Sequence, residues 1–316
     1  MSLLRLRLHM LGTLAAIIAV STLGIGLVLS MMGELNVVTL IAVVTVFNVG
    51  QWVLAPYLIN ALYKARPLSP EESPRLHRAV ENLSGKSGIK KPRLMISSLD
   101  VPNAFAYGSP LTGSHVAVTQ GLLRSLDMNE VEAVIGHELG HIKHRDVQAM
   151  MFLSLLPSIF YIIARSTLFS RLYGRDRRDL GASALIGGVS MLVYFVLLLF
   201  TMGFSRLREY YADQHSAMVV EGGAGKLSTG LAKITAASAR SQGIGGVPSA
   251  SGFKALFISD PDRALSDVYE LQRAGLSSDV ALVQSIMSRR VTALDRLGEL
   301  FSTHPNIVKR LRALNN

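Results

Sequence analysis

Cysteine is absent from the 316-residue sequence, and charged residues are scarce at 17%. Without a thiol, the chain has no disulfide and no thiolate metal site, so any metal ion must be held by His, Asp or Glu. Soluble proteins average about 25% charged residues, and a mean hydropathy of +0.36 is unusual for a soluble protein. The composition therefore favours a chain that is partly embedded in a membrane.

Positive charge exceeds negative charge, and the formal net charge is +10. Nucleic-acid binding is one interpretation of such an excess, but the sequence has no nucleic-acid motif and no run that mixes basic and aromatic residues. Basic residues that flank membrane spans on the cytoplasmic side, close to anionic lipid, explain the excess better. We therefore expect the lipid bilayer, and no nucleic acid, as a partner.

Long stretches without Asp, Glu, Lys or Arg predict about four transmembrane helices, because a bilayer core needs about 20 apolar residues as a helix. The stretches are residues 8–33, 35–63, 147–164 and 180–205. The third is short and contains Pro157. The first is longer than the apolar part of a usual signal peptide, and only Glu34 separates it from the second, so a hairpin anchor is expected.

The basic residues around the first two stretches predict their orientation. Arg5 and Arg7 precede the first stretch, whereas Lys64 and Arg66 follow the second. This places the region after residue 63 in the cytoplasm. The loop 165–179 is also basic, although two full crossings would place it outside. Either the charge rule fails there, or the third and fourth stretches form a hairpin that does not fully cross.

These stretches divide the chain into four predicted segments. They are an N-terminal transmembrane hairpin at 1–63, a mixed α/β segment at 64–146, a second membrane hairpin at 147–205 and a helical segment at 206–316. The sequence thus predicts a mixed α/β segment and a helical segment that are joined to membrane helices.

Local patterns within 64–146 predict its helices and strands. Strands are predicted at 93–96, 103–108 and 115–118. The run Ser69-Pro70-Glu71-Glu72 predicts a helix that starts with Pro70 in its first turn. Asp127 and Glu130 have the spacing of a capping box, and the helix that they begin has no clear stop before Val147.

That second helix carries His137-Glu138-Leu139-Gly140-His141. Residues four apart share one helical face, so both imidazoles can bind one Zn²⁺ at about 2.0–2.1 Å. Zinc lowers the pKa of a bound water to about 7, and Glu138 is placed to take its proton as general base. The alternative is a pair of structural histidines on an amphipathic helix.

A catalytic zinc needs a third protein ligand and one open position. His144 is nearby, but it lies about two turns from His137, too far for one ion on a straight helix. Glu209 is the better candidate, and Asp213 follows it by one turn, where it can accept the free N–H of a zinc-bound imidazole. The alternative for both carboxylates is a solvated helix face.

With these residues the chain resembles the HtpX family of membrane-bound zinc endopeptidases, which are relatives of the CAAX prenyl proteases. The matching motifs are Pro102 to Ala106, His137 to His141 with Arg145 and Asp146, Ser205 to Asp213, and Ser302 to Pro305 followed by Arg310. The likeness covers nearly the whole chain. Asn306 departs from the second proline that often follows the His-Pro pair, which puts the local turn in question.

The resemblance implies an α+β, zincin-like (gluzincin) core with a helical membrane anchor and one Zn²⁺ per chain. It implies a multi-pass protein of the plasma membrane, with a cytoplasmic catalytic domain that cleaves misfolded or damaged membrane proteins. It also implies that Asn103 lies on an edge strand beside the cleft and holds the substrate backbone. An extended peptide can add to such a sheet edge through main-chain hydrogen bonds. The alternative for Asn103 is a turn residue beside Pro102.

His304 has two interpretations as well. It can donate to the oxyanion as the scissile carbonyl becomes tetrahedral, or it can be a structural residue beside Pro305. Tyr210 and Tyr211 are other possible donors, and Arg310 is either a partner of an acidic site residue or a surface charge.

Two rival functions remain at this point. The chain can be a protease of prenylated C-terminal tails, or a catalytically inactive membrane scaffold. The complete set of base and ligands argues against the scaffold.

Overall fold

The computed structural model describes residues 37–173, 180–242 and 278–316. The helices are α1 (Val37–Leu62), α2 (Pro74–Ser87), α3 (Gln120–Ser125), α4 (Met128–Lys143), α5 (Asp146–Tyr173), α6 (Leu180–Val219), α7 (Gly223–Gln242), α8 (Asp279–Ser288), α9 (Ala293–Leu300) and α10 (Ile307–Leu314). The strands are β1 (Ala65–Pro67), β2 (Arg93–Ser97), β3 (Ala104–Ser109) and β4 (Gly113–Thr119). This mixture of helices and strands confirms the α+β class.

The chain divides into two compact units. The sheet unit contains the described residues of 53–147 and 208–316, and the helical unit contains those of 37–52 and 148–207. The segment boundaries at 63, 146 and 205 stay a prediction.

One four-stranded sheet lies in the sheet unit, with strand order β1-β2-β4-β3. β2 and β4 are parallel, while the outer pairs are antiparallel. The three predicted strands are present as β2, β3 and β4, and β3 is at an edge. β1, at the other edge, was not predicted, because three residues are too few to show an alternating pattern.

The predicted capping box of α4 is confirmed. The Asp127 carboxylate accepts from the backbone of Asn129 and Glu130, and the Glu130 carboxylate accepts from the backbone N–H of Asp127. The prediction that this helix has no stop before Val147 is wrong. α4 ends at Lys143, and Arg145 then takes a positive φ of 55°.

The predicted helix start at Pro70 is also wrong. Ser69 and Glu72 exchange the hydrogen bonds of a capping box, but they close a turn. The helix begins four residues later, at Pro74, where a proline suits the first turn because no N–H is needed there. The capping-box spacing therefore begins a helix at Asp127 but forms only an isolated turn at Ser69.

The buried core of the sheet unit lies among α2, α4, α7 and the sheet. Leu76, Val116, Ile135, Leu139 and Leu231 are fully buried in it. α4, which carries the metal-ligand motif, therefore has its middle in the core of its unit and both of its ends near the surface.

Two helices of the described chain are long and apolar enough to cross a membrane by length and composition. These candidate spans are Asp146–Arg165 and Ala184–Val219, within α5 and α6. They match the third and fourth predicted stretches, and Pro157 lies inside α5 without ending it. The second stretch forms α1, and the first lies outside the described residues. The count of four spans stays a prediction.

Candidate metal centre

Two helices of the sheet unit bring the three predicted metal ligands together. His137 and His141 lie on α4, and Glu209 lies on the part of α6 that belongs to this unit. One ligand atom from each residue lies within 4.8 Å of the others. His137 and Glu209 are almost fully buried, and His141 is partly accessible.

The spacing of the ligand atoms fits a single tetrahedral ion. Ligands bound at about 2.0–2.1 Å on a tetrahedral ion are about 3.3 Å apart. The two Nε2 atoms of the histidines are 3.1 Å apart. Each lies 3.5 or 3.6 Å from a carboxylate oxygen of Glu209. The donor set of two imidazoles and one carboxylate is also the one that catalytic zinc sites use, so these residues fit the predicted ion.

Two glycines of α4 allow α6 to approach closely enough for this spacing. A Cβ atom on Gly140 would lie 3.0 Å from the Cα of Ala212, and one on Gly136 would lie 2.9 Å from a methyl group of Val220. The hydroxyl of Ser216 donates to the carbonyl of Ala133 at 2.6 Å, which ties the two helices together. The small residues at this contact set the distance from Glu209 to the histidines.

Asp213 lies next to His137, one of the two predicted imidazole ligands. Its Oδ1 is 2.9 Å from Nδ1 of His137. Arg310 donates to both oxygens of Asp213, from Nε at 2.9 Å and from a terminal nitrogen at 2.6 Å. Arg310 is 1% exposed, so its interpretation as a surface charge is wrong. A proton on Nδ1 of His137 leaves its Nε2 free to face the ion.

The buried carboxylates also change the acidity of His137. Burial alone lowers the pKa of His137, but the contacts with Asp213 and Glu209 outweigh it and raise the pKa to about 9. A protonated imidazole cannot bind a metal ion, so a metal ion must displace this proton.

Asp146 belongs to one of the motifs that carry the family resemblance, but no role in the centre was predicted for it. Its Oδ2 lies 2.6 Å from Nδ1 of His141, the nitrogen that faces away from Glu209. Arg208 donates to the carbonyl of Asp146 at 3.0 Å and lies 3.8 Å from Oδ2. The positive φ of Arg145 turns the chain after α4, which puts Asp146 beside the histidine that it follows by five residues. Helical periodicity assumes a continuous helix. It therefore could not predict that the turn at Arg145 brings Asp146 back to His141.

Glu138, the predicted base, lies beside the histidines and is 4% exposed. Burial raises the pKa of Glu138, against the opposing effects of His141 and His137 and of a hydrogen bond from the backbone of Ala106 on β3. This places the carboxylate between the metal ligands and the edge strand.

The free edge of β3 faces this carboxylate. Backbone groups of an antiparallel strand point alternately to either side. The carbonyl of Asn103 accepts from Thr119 of β4, so Ala104 and Ala106 turn their backbone groups away from β4. Asn103 itself is buried directly before β3, and its N–H donates to the Thr119 hydroxyl.

His304 is buried beside the third ligand. Its Nδ1 lies 3.3 Å from Oε2 of Glu209. Asn306, the departure from the family pattern, begins α10 by accepting from Val308, and its N–H donates to Glu299. The turn that holds His304 is therefore formed without the second proline.

His144 packs against Tyr211 and His215. The ring of His144 meets Tyr211 edge-on at 4.7 Å and lies near His215. Within the described residues, the group that could share an ion is His137, His141 and Glu209, and His144 does not belong to it.

Comparison with known proteins adds family evidence to this geometry. The family description "Peptidase family M48" matches residues 70–316. A protein named Protease HtpX homolog from Thermoplasma acidophilum is 34% identical over 328 aligned positions, which cover 99% of this chain and 98% of that protein. Another of the same name from Aeropyrum pernix is 39% identical, over 84% of this chain and 81% of the relative.

A solved structure is similar in fold. The crystal structure of S. mikatae Ste24p matches with a TM-score of 0.54 over 99% of this chain and 67% of that one. At 16% identity, this likeness concerns the fold alone.

Proposed function

Because the chain belongs to peptidase family M48, as its resemblance to the HtpX proteases predicted, we propose that it cleaves misfolded or damaged membrane proteins with one zinc ion. Family membership makes the chain a metalloprotease of the membrane zinc type. The observation that carries the proposed zinc chemistry is the cluster of His137, His141 and Glu209, whose ligand atoms lie within 4.8 Å of one another.

His137, His141 and Glu209 would hold the ion in the proposed centre. When bound, zinc supplies a Lewis acid and a water of lowered pKa. Asp213 and Asp146 each hold one imidazole by its Nδ1, which fixes the ring with Nε2 toward the shared point.

Glu138 is the general base in this proposal. Burial raises the pKa of Glu138 from its usual value toward neutral pH. A base with such a pKa can accept a proton from the water and return it to the leaving amine. The burial that raises the pKa also keeps bulk water away from this proton.

The substrate would lie along β3 as an added strand. The outward backbone groups of Ala104 and the carbonyl of Ala106 are spaced to pair with an extended peptide, while the N–H of Ala106 donates to Glu138. Asn103 would align the peptide at the start of this edge. His304, adjacent to Glu209, would donate to the oxyanion.

The charge pattern supports a cytoplasmic catalytic unit. Lys64 and Arg66 flank the predicted second span on the same side as this unit. The native chain lacks cysteine, so one cysteine in place of exposed Glu81 can be labelled selectively. A reagent that cannot cross membranes should label it in inverted vesicles and not in intact cells.

The decisive experiment is Glu138→Gln in the purified full-length protein with casein as substrate. The variant should keep its zinc, measured by metal analysis, and lose at least about a hundredfold in cleavage rate, the usual contribution of a general base. Glu132→Gln, on the same helix and only partly buried, is the matched control and should stay active. Cleavage by the Glu138 variant at the native rate would refute the mechanism.

Substrate class needs a second assay. A prenylated peptide and an unfolded membrane protein should be compared at equal concentration. Faster cleavage of the membrane protein supports the proposal, whereas a preference for the prenylated tail favours the rival function.

A further inference from the structure

The helix α9 exposes its apolar face and buries an acidic residue. Leu294, Leu297, Leu300 and Phe301 are 79%, 57%, 44% and 64% exposed. At 100° per residue these four positions cover about 120° of the helix surface, a continuous stripe. Glu299 faces the protein, where it accepts from the N–H of Asn306 and pairs with Lys309. This arrangement reverses the usual orientation of a surface helix.

Such a stripe calls for a covering partner. Isolated exposed leucines are ordinary, but a contiguous apolar stripe on a soluble protein marks an interaction site. α9 is held in this orientation by strong local contacts: the Thr292 and Asp295 capping box at its start and the Glu299 contacts at its end. The stripe is therefore a fixed feature of the sheet unit.

The charges around the stripe match an anionic surface. Arg290 and Arg296 are exposed next to it. The two acidic residues of α9 are both engaged, Asp295 with Thr292 and Glu299 with Lys309. The outward side of α9 is therefore apolar with a positive border, the pattern of helices that lie in the interface of anionic membranes.

Chain connections also favour lipid. Phe301 precedes His304 by three residues, at most about 10 Å of chain, and His304 contacts Glu209. On the other side of the centre, His141 contacts Asp146, the first residue of the candidate span Asp146–Arg165. The stripe is thus connected through His304 to the same centre that Asp146 contacts, and at Asp146 the chain continues into an apolar helix.

We propose that α9 is an interfacial helix that inserts Leu294, Leu297, Leu300 and Phe301 into the surface of an anionic phospholipid bilayer. Arg290 and Arg296 contact the headgroups. The helix would thereby hold the loop of His304, and the centre beside it, at the membrane surface.

The test uses Leu297→Cys in the full-length cysteine-free chain, labelled with a fluorophore and reconstituted into vesicles of phosphatidylcholine and phosphatidylglycerol. Lipids with a shallow spin label on the acyl chain should quench it strongly, and aqueous iodide weakly. Glu81→Cys on α2, an exposed position far along the chain from α9, is the matched control and should show the reverse pattern. Leu294→Cys serves as a second reporter, because its side chain is more exposed still.

Three outcomes would overturn the proposal. If iodide quenches the Leu297 label as well as the Glu81 label, the stripe faces water. If neither quencher reaches it, another protein segment or a second copy covers it. If it becomes protected only when casein is added, the stripe binds substrate. The double variant Arg290→Gln with Arg296→Gln should weaken the lipid quenching, and unchanged quenching would refute the headgroup contacts.

Discussion

The two imidazoles of the metal centre are supported in different ways. His137 and its carboxylate Asp213 are buried, and Arg310 from the C-terminal helix neutralises that carboxylate. His141 is 14% exposed in its side chain, and its carboxylate Asp146 comes from five residues further along the chain. The inner support therefore needs three distant parts of the sequence to fold together, whereas the outer one needs only a turn between two helices.

This difference predicts how each half fails. Buried charges depend on their partners, because water cannot replace a missing one. On the outer side the His141 ring is partly exposed, so water can replace a contact that it loses. Changes on the inner side should therefore affect folding and metal binding together, and changes on the outer side should affect metal binding alone.

Arg310→Met should have the largest effect. It leaves Asp213 and Glu209 buried without their cation, and breaking a buried pair costs about 3–5 kcal/mol. We expect a large fall in the thermal unfolding temperature and loss of bound zinc. Arg124→Met, which breaks an exposed ion pair with Asp100, is the control and should cost about 1 kcal/mol or less. Equal effects of the two changes would show that Arg310 contributes no more to stability than a surface ion pair does.

Asp213→Asn should have the second-largest effect. The amide keeps the shape but loses the charge that faces both His137 and Arg310. Loss of a carboxylate behind a metal-bound histidine weakens metal binding by about 10–100-fold, and we expect the upper end here together with a lower unfolding temperature. Zinc competition with a chelating dye measures the first effect. A change in affinity without a change in stability would contradict the inner role of Asp213.

Asp146→Asn should weaken zinc binding nearer to the lower end of that range, about tenfold. Because Asp146 supports the more accessible histidine, we expect little change in the unfolding temperature. Asp100→Asn, at a highly exposed carboxylate, is the matched control for the loss of charge. A larger loss of affinity than in Asp213→Asn would reverse the comparison.

Arg208→Met should have the smallest effect. The guanidinium holds the Asp146 backbone at 3.0 Å but lies 3.8 Å from its carboxylate, so zinc affinity should fall by only a few-fold. The same dye titration measures it. An effect as large as that of Asp146→Asn would show that the outer support also depends on a distant residue.

The features that were predictable from sequence are those set by local patterns. The α4 helix, its capping box and the two histidines on one face depend on residues within one segment. Glu209 and Asp213 were predictable because their own one-turn spacing repeats the geometry that the histidines need. The α+β class was implied by the family resemblance that these motifs carry.

The features that were missed depend on contacts between segments or on unusual backbone. β1 exists because it pairs with β2, and its three residues carry no pattern of their own. Asp146 joins the centre through the positive φ of Arg145, a conformation that few sequences announce. The spacing of Ser69 and Glu72 led to a wrong helix start, because the same pair of hydrogen bonds can form in an isolated turn as well as at the start of a helix.

The bare backbone of Gly140 has a consequence for how this centre tolerates change. A methyl group there would press on the Cα of Ala212, which cannot swing aside as a side chain tip would. It would act as a wedge that moves α6 outward and carries Glu209 with it, while the two histidines keep their spacing on α4. Such a chain would retain every group needed for the chemistry, but its third ligand would lie a few tenths of an ångström further from the histidines.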